Sequence, residues 1–168
     1  TLTRPTIGVD IIFFDAEDYG QPSGMSSDEY NSDSWCLGSQ YWSKNPHKKN
    51  YTAEYGILLD MVGATNPQFR QEAFSNQFAP LVVQKIWSNA KKLGYNNYFL
   101  NQQIGPLIDD HKFVNEIANI PSIDIIHYEN NPGSFHSTWH THNDNMDIID
   151  KKSLAVVGKV LLYTIYQE

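Results

Sequence analysis

One cysteine, Cys36, in 168 residues excludes an internal disulfide framework and any all-cysteine zinc site. Basic residues are few: 12 Lys and Arg stand against 19 Asp and Glu, a formal charge of −7. The electrostatic footprint of a nucleic-acid binder is therefore missing. No apolar run approaches the ~18 residues that suggest a membrane span. Phosphate loops of the G-x-x-x-x-G-K-[ST] or G-x-G-x-x-G type are absent, as are a G-x-S-x-G nucleophile elbow and an HExxH helix. Nucleotide binding, serine hydrolysis and the local zincin pattern are thereby disfavoured. What is present is 40% hydrophobic and 13% aromatic residues, enough to bury the core of one domain of roughly 100–200 residues.

Val9-Asp10-Ile11-Ile12-Phe13-Phe14 is apolar without strict alternation, the pattern of a strand covered on both faces. Gly56-Ile57-Leu58-Leu59 and Ile123-Asp124-Ile125-Ile126 read the same way. From Pro80, the apolar residues Val82, Ile86, Ala90 and Leu93 recur at helical spacing until Gly94. A second helix follows the cap residue Asp150, with Leu154, Val157, Leu161 and Ile165 as its stripe. Residues 21–34, rich in Ser, Asp, Gly and Asn, read as one inserted loop, and Cys36 falls at the start of a helix, in a packing role. Strands alternating with helices predict an α/β layered fold, whose ligands gather beyond the carboxyl ends of the strands.

The titratable residues collect there. The first expected strand runs into Asp15-Ala16-Glu17-Asp18, the second into Asp60 and the third into His127. Asp109-Asp110-His111 opens a short helical pattern, where one aspartate suffices as a cap. Residues 135–145 concentrate His136, His140 and His142 around Trp139. By spacing alone, His140 and His142 fit a surface pair as well as a metal site, so any ligand set must converge from distant segments.

Taken in order, Ile12-Phe13-Phe14-Asp15-Ala16-Glu17-Asp18, Leu58-Leu59-Asp60-Met61-Val62-Gly63-Ala64, Asp109-Asp110-His111 and Trp139-His140-Thr141 resemble the glutaminyl cyclases, relatives of the M28 zinc aminopeptidases. The resemblance implies a three-layer α/β sandwich with a central mixed, mostly parallel sheet flanked by helices. It reads residues 1–168 as the C-terminal portion of a single M28-like catalytic domain, incomplete on its N-terminal side. It implies one zinc ion on Asp18 and His140, with a further Asp expected before Thr1. Glu17 resembles the general acid/base, Asp60 and Asp109 its acidic partners, and His127 a pocket histidine. Phe135 and Trp139 resemble the aromatic wall that holds substrate. The chain departs from the family's DDHxPF pattern, reading Asp109-Asp110-His111-Lys112-Phe113-Val114 without the proline.

The activity implied is cyclisation of N-terminal glutamine of a peptide or protein to pyroglutamate with release of ammonia. Family analogy implies a secreted or periplasmic protein, with a lipid anchor as one form of export. A di-zinc aminopeptidase would use nearly the same residues, with Asp60 on a second metal. Trp before the zinc histidine and Asp109 before Asp110-His111 favour the cyclase. A non-catalytic binding domain that has lost its metal is the third reading.

Overall fold

The computed structural model describes residues 4–18, 20, 34–129 and 135–168. Its elements are, in order, α1 (Leu37–Lys44), β1 (Gly56–Asp60), β2 (Phe69–Gln71), α2 (Ala73–Phe78), α3 (Pro80–Lys92), β3 (Phe99–Gln103), α4 (Asp110–Phe113), β4 (Ser122–Ile126) and α5 (Lys151–Ile165). A π-helical turn, Val114–Ala118, extends α4. The expected loop at 21–34 lies almost wholly outside the described residues.

β1 and β4 pair in parallel, with Gly56 opposite Ser122 and Asp60 opposite Ile126. β2 and β3 form a second parallel pair, and an antiparallel bridge between Phe69 and His127 joins the two pairs. The result is the mixed, mostly parallel arrangement that the family resemblance implies. Parallel neighbours need helical crossovers, which place helices on the sheet's faces. Ile123 and Ile125 of β4 pack with Ile86 and Ala90 of α3 and with Val156, Val157 and Val160 of α5. α4 packs on β1 and β4, and α1 covers α4.

Local chemistry explains the helix ends. Pro80 occupies the first turn of α3, where its missing N–H leaves nothing unsatisfied. The Asp150 carboxylate accepts from Lys152 N at 2.9 Å and caps α5. Asp150→Ala is expected to cost about 1 kcal/mol in a denaturant titration, with an unchanged slope. Among the described residues, no helix is long and apolar enough to cross a membrane.

The segment at 9–14 corrects one expectation, for it is not a strand. Val9, Ile11 and Phe13 are 52%, 78% and 92% exposed. The Phe14 ring meets Trp42 edge-on at 5.8 Å, and Asp10 accepts the Tyr51 hydroxyl at 3.0 Å. Side chains tie this extended segment down. Apolar composition reports a tendency to be covered, whereas a strand also requires a hydrogen-bonded neighbour, and none borders it among the described residues.

Candidate active site

The helix α1 builds one wall of the site with its backbone. The amides of Cys36, Leu37 and Gly38 donate to the carbonyls of Glu17, Ala16 and Asp15 at 3.0, 3.1 and 2.9 Å. Free N–H groups at a helix start thus clip the 15–17 segment in place. Only glycine permits the approach, because a Cβ at Gly38 would run into the Asp15 backbone. Ala16 turns through φ 53°, which carries Glu17 and Asp18 toward the carboxyl ends of β1 and β4.

Asp60 ends β1, and Met61 behind it takes φ 48°. Asp109 caps α4, its Oδ1 accepting from Asp110 N at 2.6 Å. His140, at φ 56°, stacks on Trp139 with centroids 3.8 Å apart. Trp139 in turn meets Phe135 at 4.6 Å. Left-handed backbone at a non-glycine residue costs of order 1–3 kcal/mol and collects at functional sites. Here Met61 and His140 line one cleft, and Ala16 directly precedes Glu17, which lines it too.

That cleft, of about 370 Å³, is lined by Glu17, Asp18, Asp60, Asp109, His140, Phe135 and Trp139, and also by Trp35, Met61, Leu107, Ile108, Ile126 and Asp144. Seven of the sequence-expected residues therefore meet, although 122 positions separate Asp18 from His140, whose Nε2 lies 3.0 Å from Asp18 Oδ1. His127 does not line the cleft. It is buried, its Nδ1 accepts from Gln68 N at 2.8 Å, and its Nε2 is 3.4 Å from Glu129. The join between the two strand pairs claims this imidazole.

Three acids of the cleft, Glu17, Asp60 and Asp109, hold their protons more tightly than free carboxyls. Burial, the hydrogen bond with Asp18 and the charges of Asp109, Asp18 and Asp60 push Glu17 up to about 8. Burial lifts Asp60 to about 6 against the opposing hydrogen bond from the Met61 backbone, with the charges of Asp18, Asp110 and Asp144 adding to the rise. Asp109 is raised by burial and by Asp60. Neighbouring carboxyls in a dry site cannot all ionise cheaply.

Three participants escaped the sequence reading. Cys36 is fully buried, and its Sγ sits 3.8 Å from Glu17 Oε1. Burial and the nearby acids push its thiol up, so it serves Glu17 as a weak donor. Asp144 lines the mouth of the cleft, and a lone acid beside three histidines carried no signal for it. Asp124 lies buried behind the cleft, and its signal was a charged residue inside an apolar strand.

The arrangement sets a carboxylate and an imidazole nitrogen, both groups that could hold a metal, beside a half-buried carboxyl and an aromatic wall. Residues 1–165 match the model of Peptidase family M28. The structure of a glutaminyl cyclase from Bacteroides thetaiotaomicron, bound to N-acetylhistamine, is 49% identical, with a TM-score of 0.93 over 98% of this chain and 56% of that one. A Zn-dependent exopeptidase from Parabacteroides distasonis is 50% identical, with a TM-score of 0.86 over 93% of this chain and 53% of that one. The glutaminyl-peptide cyclotransferase of Bothrops jararaca is 28% identical over 94% of this chain and 45% of its own length. The chain thus spans about half the length of the relatives it matches.

Proposed function

The chain belongs to peptidase family M28, and from that premise we propose that the intact protein cyclises the N-terminal glutamine of peptides to pyroglutamate and releases ammonia. The observation that carries this reading is the meeting of Glu17, Asp18 and His140 in one cleft beneath the stacked Trp139 ring.

The donor chemistry fits a zinc ion. A carboxylate oxygen and an imidazole Nε2 face each other at 3.0 Å, and both donor types are ordinary zinc ligands. Asp18 and His140 would hold one ion together with a third protein ligand, expected from the family resemblance. Bound zinc supplies Lewis acidity toward the side-chain amide oxygen of glutamine.

The chain's own residues do the rest. Glu17 accepts a proton from the substrate's α-amine as that nitrogen bonds to the side-chain amide carbon. It then returns the proton to the amide nitrogen as the carbon–nitrogen bond breaks and ammonia leaves. Asp60 and Asp109 surround Glu17 with negative potential, which favours its holding the proton between the two transfers. Trp139 and Phe135 confine the side chain and exclude water, so that ring closure outruns hydrolysis. His127 acts by holding the strand join, since its Nδ1 is already engaged.

Incubation of the intact protein with a glutamine-initiated peptide and, separately, with an aminoacyl amide tests the proposal. Pyroglutamate and ammonia from the first, with the second unchanged, is the expected result. Free amino acid from the amide without pyroglutamate would instead identify an aminopeptidase. Absence of zinc together with neither product would leave a binding domain.

A further inference from the structure

Asp124 sits in the middle of β4, and none of its side chain reaches solvent. Its backbone N–H donates to Ser75 Oγ at 2.9 Å. Neither carboxyl oxygen meets an N–H or O–H donor among the described residues. Almost every buried polar side chain has a partner, so two orphaned oxygens on one carboxyl require an explanation.

The groups that face Asp124 come from three directions. Asp109 and His111 approach from the start of α4, and one ligand atom from each lies within 4.8 Å of an Asp124 oxygen and of the other. Asp60 approaches from β1 and Glu72 from the cap of α2. His111 directs its Nε2 to Glu72 at 2.9 Å, and its buried Nδ1 makes no hydrogen bond to Asp124 or to any other described residue. Lys and Arg are absent from this set. An ionised Asp124 would be a buried charge among three other acids with no hydrogen bond of its own, an arrangement that burial strongly disfavours. Two facing carboxyls become partners only when one of them carries a proton. Asp109 already receives the Asp110 amide on Oδ1 at 2.6 Å and is thus the better acceptor of the two.

We propose that Asp124 and Asp109 share a single proton behind the cleft, with Asp124 as the neutral donor that holds Asp109 in position beside Glu17. Asp124 is then a positioning residue. Its consequence for turnover rests on the cyclase reading, whereas the shared proton does not. The electrostatics agree with this sense. Burial and the charges of Asp109, Asp60 and Glu72 hold Asp124 well above the usual carboxylate range. On Asp109, the hydrogen bonds from Asp110 and Asp124 pull the other way against burial.

Asp124→Asn in the intact protein tests the pair, because the carboxamide keeps an N–H donor and cannot ionise. The unfolded chain ionises Asp124 above its ordinary value of 3.8, while the folded chain keeps the proton. Wild type therefore loses stability as pH rises from about 4, and this contribution is missing from the Asn variant. The expected Tm of Asp124→Asn equals or exceeds that of wild type, and the gap widens from pH 4 to pH 8. A Tm below wild type whose deficit grows with pH overturns the proposal, for it would mean an ionised Asp124 paired with His111 or with a bound cation. Should Asn prevent folding, Asp124→Ser retains an O–H donor and decides by the same slope. In kinetics, Asp124→Ala should lower kcat about tenfold with KM little changed, and Asn should restore it. Equal losses in Ala and Asn, or a loss confined to KM, contradict a positioning role. The Tm comparison holds even if the protein cyclises nothing, so failure of the pair and failure of the cyclase reading are separable.

Discussion

Glu17→Gln is expected to lower kcat on a glutamine-initiated peptide by about 10²–10⁴-fold while the zinc content of the intact protein stays at its wild-type level. The substitution keeps the shape of the side chain and an oxygen for the Cys36 thiol at the Oε1 position. Its backbone carbonyl remains clipped by the Cys36 amide at 3.0 Å, so the segment bearing Asp18 is not disturbed. What disappears is the capacity to carry a proton in both directions. Zinc retention follows because the proposed ligands are Asp18 and His140, whose facing atoms do not involve Glu17. Steady-state kinetics with metal analysis on the same sample provides the check. A variant that keeps most of its turnover refutes the assigned role, and one that loses zinc shows Glu17 to be a ligand instead.

Much of the architecture was legible because its signals are periodic and local. The stripe of Val82, Ile86 and Ala90 and the cap at Asp150 mark α3 and α5 directly, and the short apolar runs mark β1 and β4. β2 and β3 escaped because Phe69–Gln71 is too short to show a period and Phe99–Gln103 is mostly polar. Their pairing depends on partners about 30 positions apart. The segment at 9–14 failed for the opposite reason, being apolar with no hydrogen-bonded strand beside it among the described residues. The cleft was legible at the level of strand ends, since Asp60 and the 15–18 acids follow apolar runs, and family resemblance supplied His140 and Asp109. His127 satisfied the same strand-end rule, yet its ring turns to the Gln68 amide. Strand position fixes where a residue stands but not which neighbour claims its side chain. Nothing local could join Glu72 to His111 across 39 positions, and this pair sets the second large expectation.

Glu72→Ala should cost about 3–5 kcal/mol, because it leaves several buried donors without the acceptor they share, at about 1–3 kcal/mol for each unsatisfied group. At the usual sensitivity of a domain this size, that lowers Tm by roughly ten degrees. The Glu72 carboxylate is fully buried, and both of its oxygens are occupied. Oε1 accepts from Phe74 N at 2.7 Å and Leu107 N at 2.9 Å. Oε2 accepts from Ser75 N at 2.7 Å and Ser75 Oγ at 2.9 Å, with His111 Nε2 at 2.9 Å. One side chain thereby joins the start of α2, the approach to α4 and His111, and α4 in turn presents Asp109 to the cleft. Burial alone would raise the Glu72 pKa, but the hydrogen bond and charge of His111 and the amides of Phe74 and Ser75 hold it below its ordinary 4.5. A depressed folded pKa contributes stability above the unfolded value, and that contribution is lost as pH falls through the folded one. Glu72→Gln should therefore lie well below wild type at neutral pH, since its amide sets an N–H against donors that need an acceptor. The gap should close as the pH falls below about 4.5. Thermal melts of wild type and variant across that range measure it. A gap that does not change with pH would show that the network works through shape and packing and not through the ionised carboxylate.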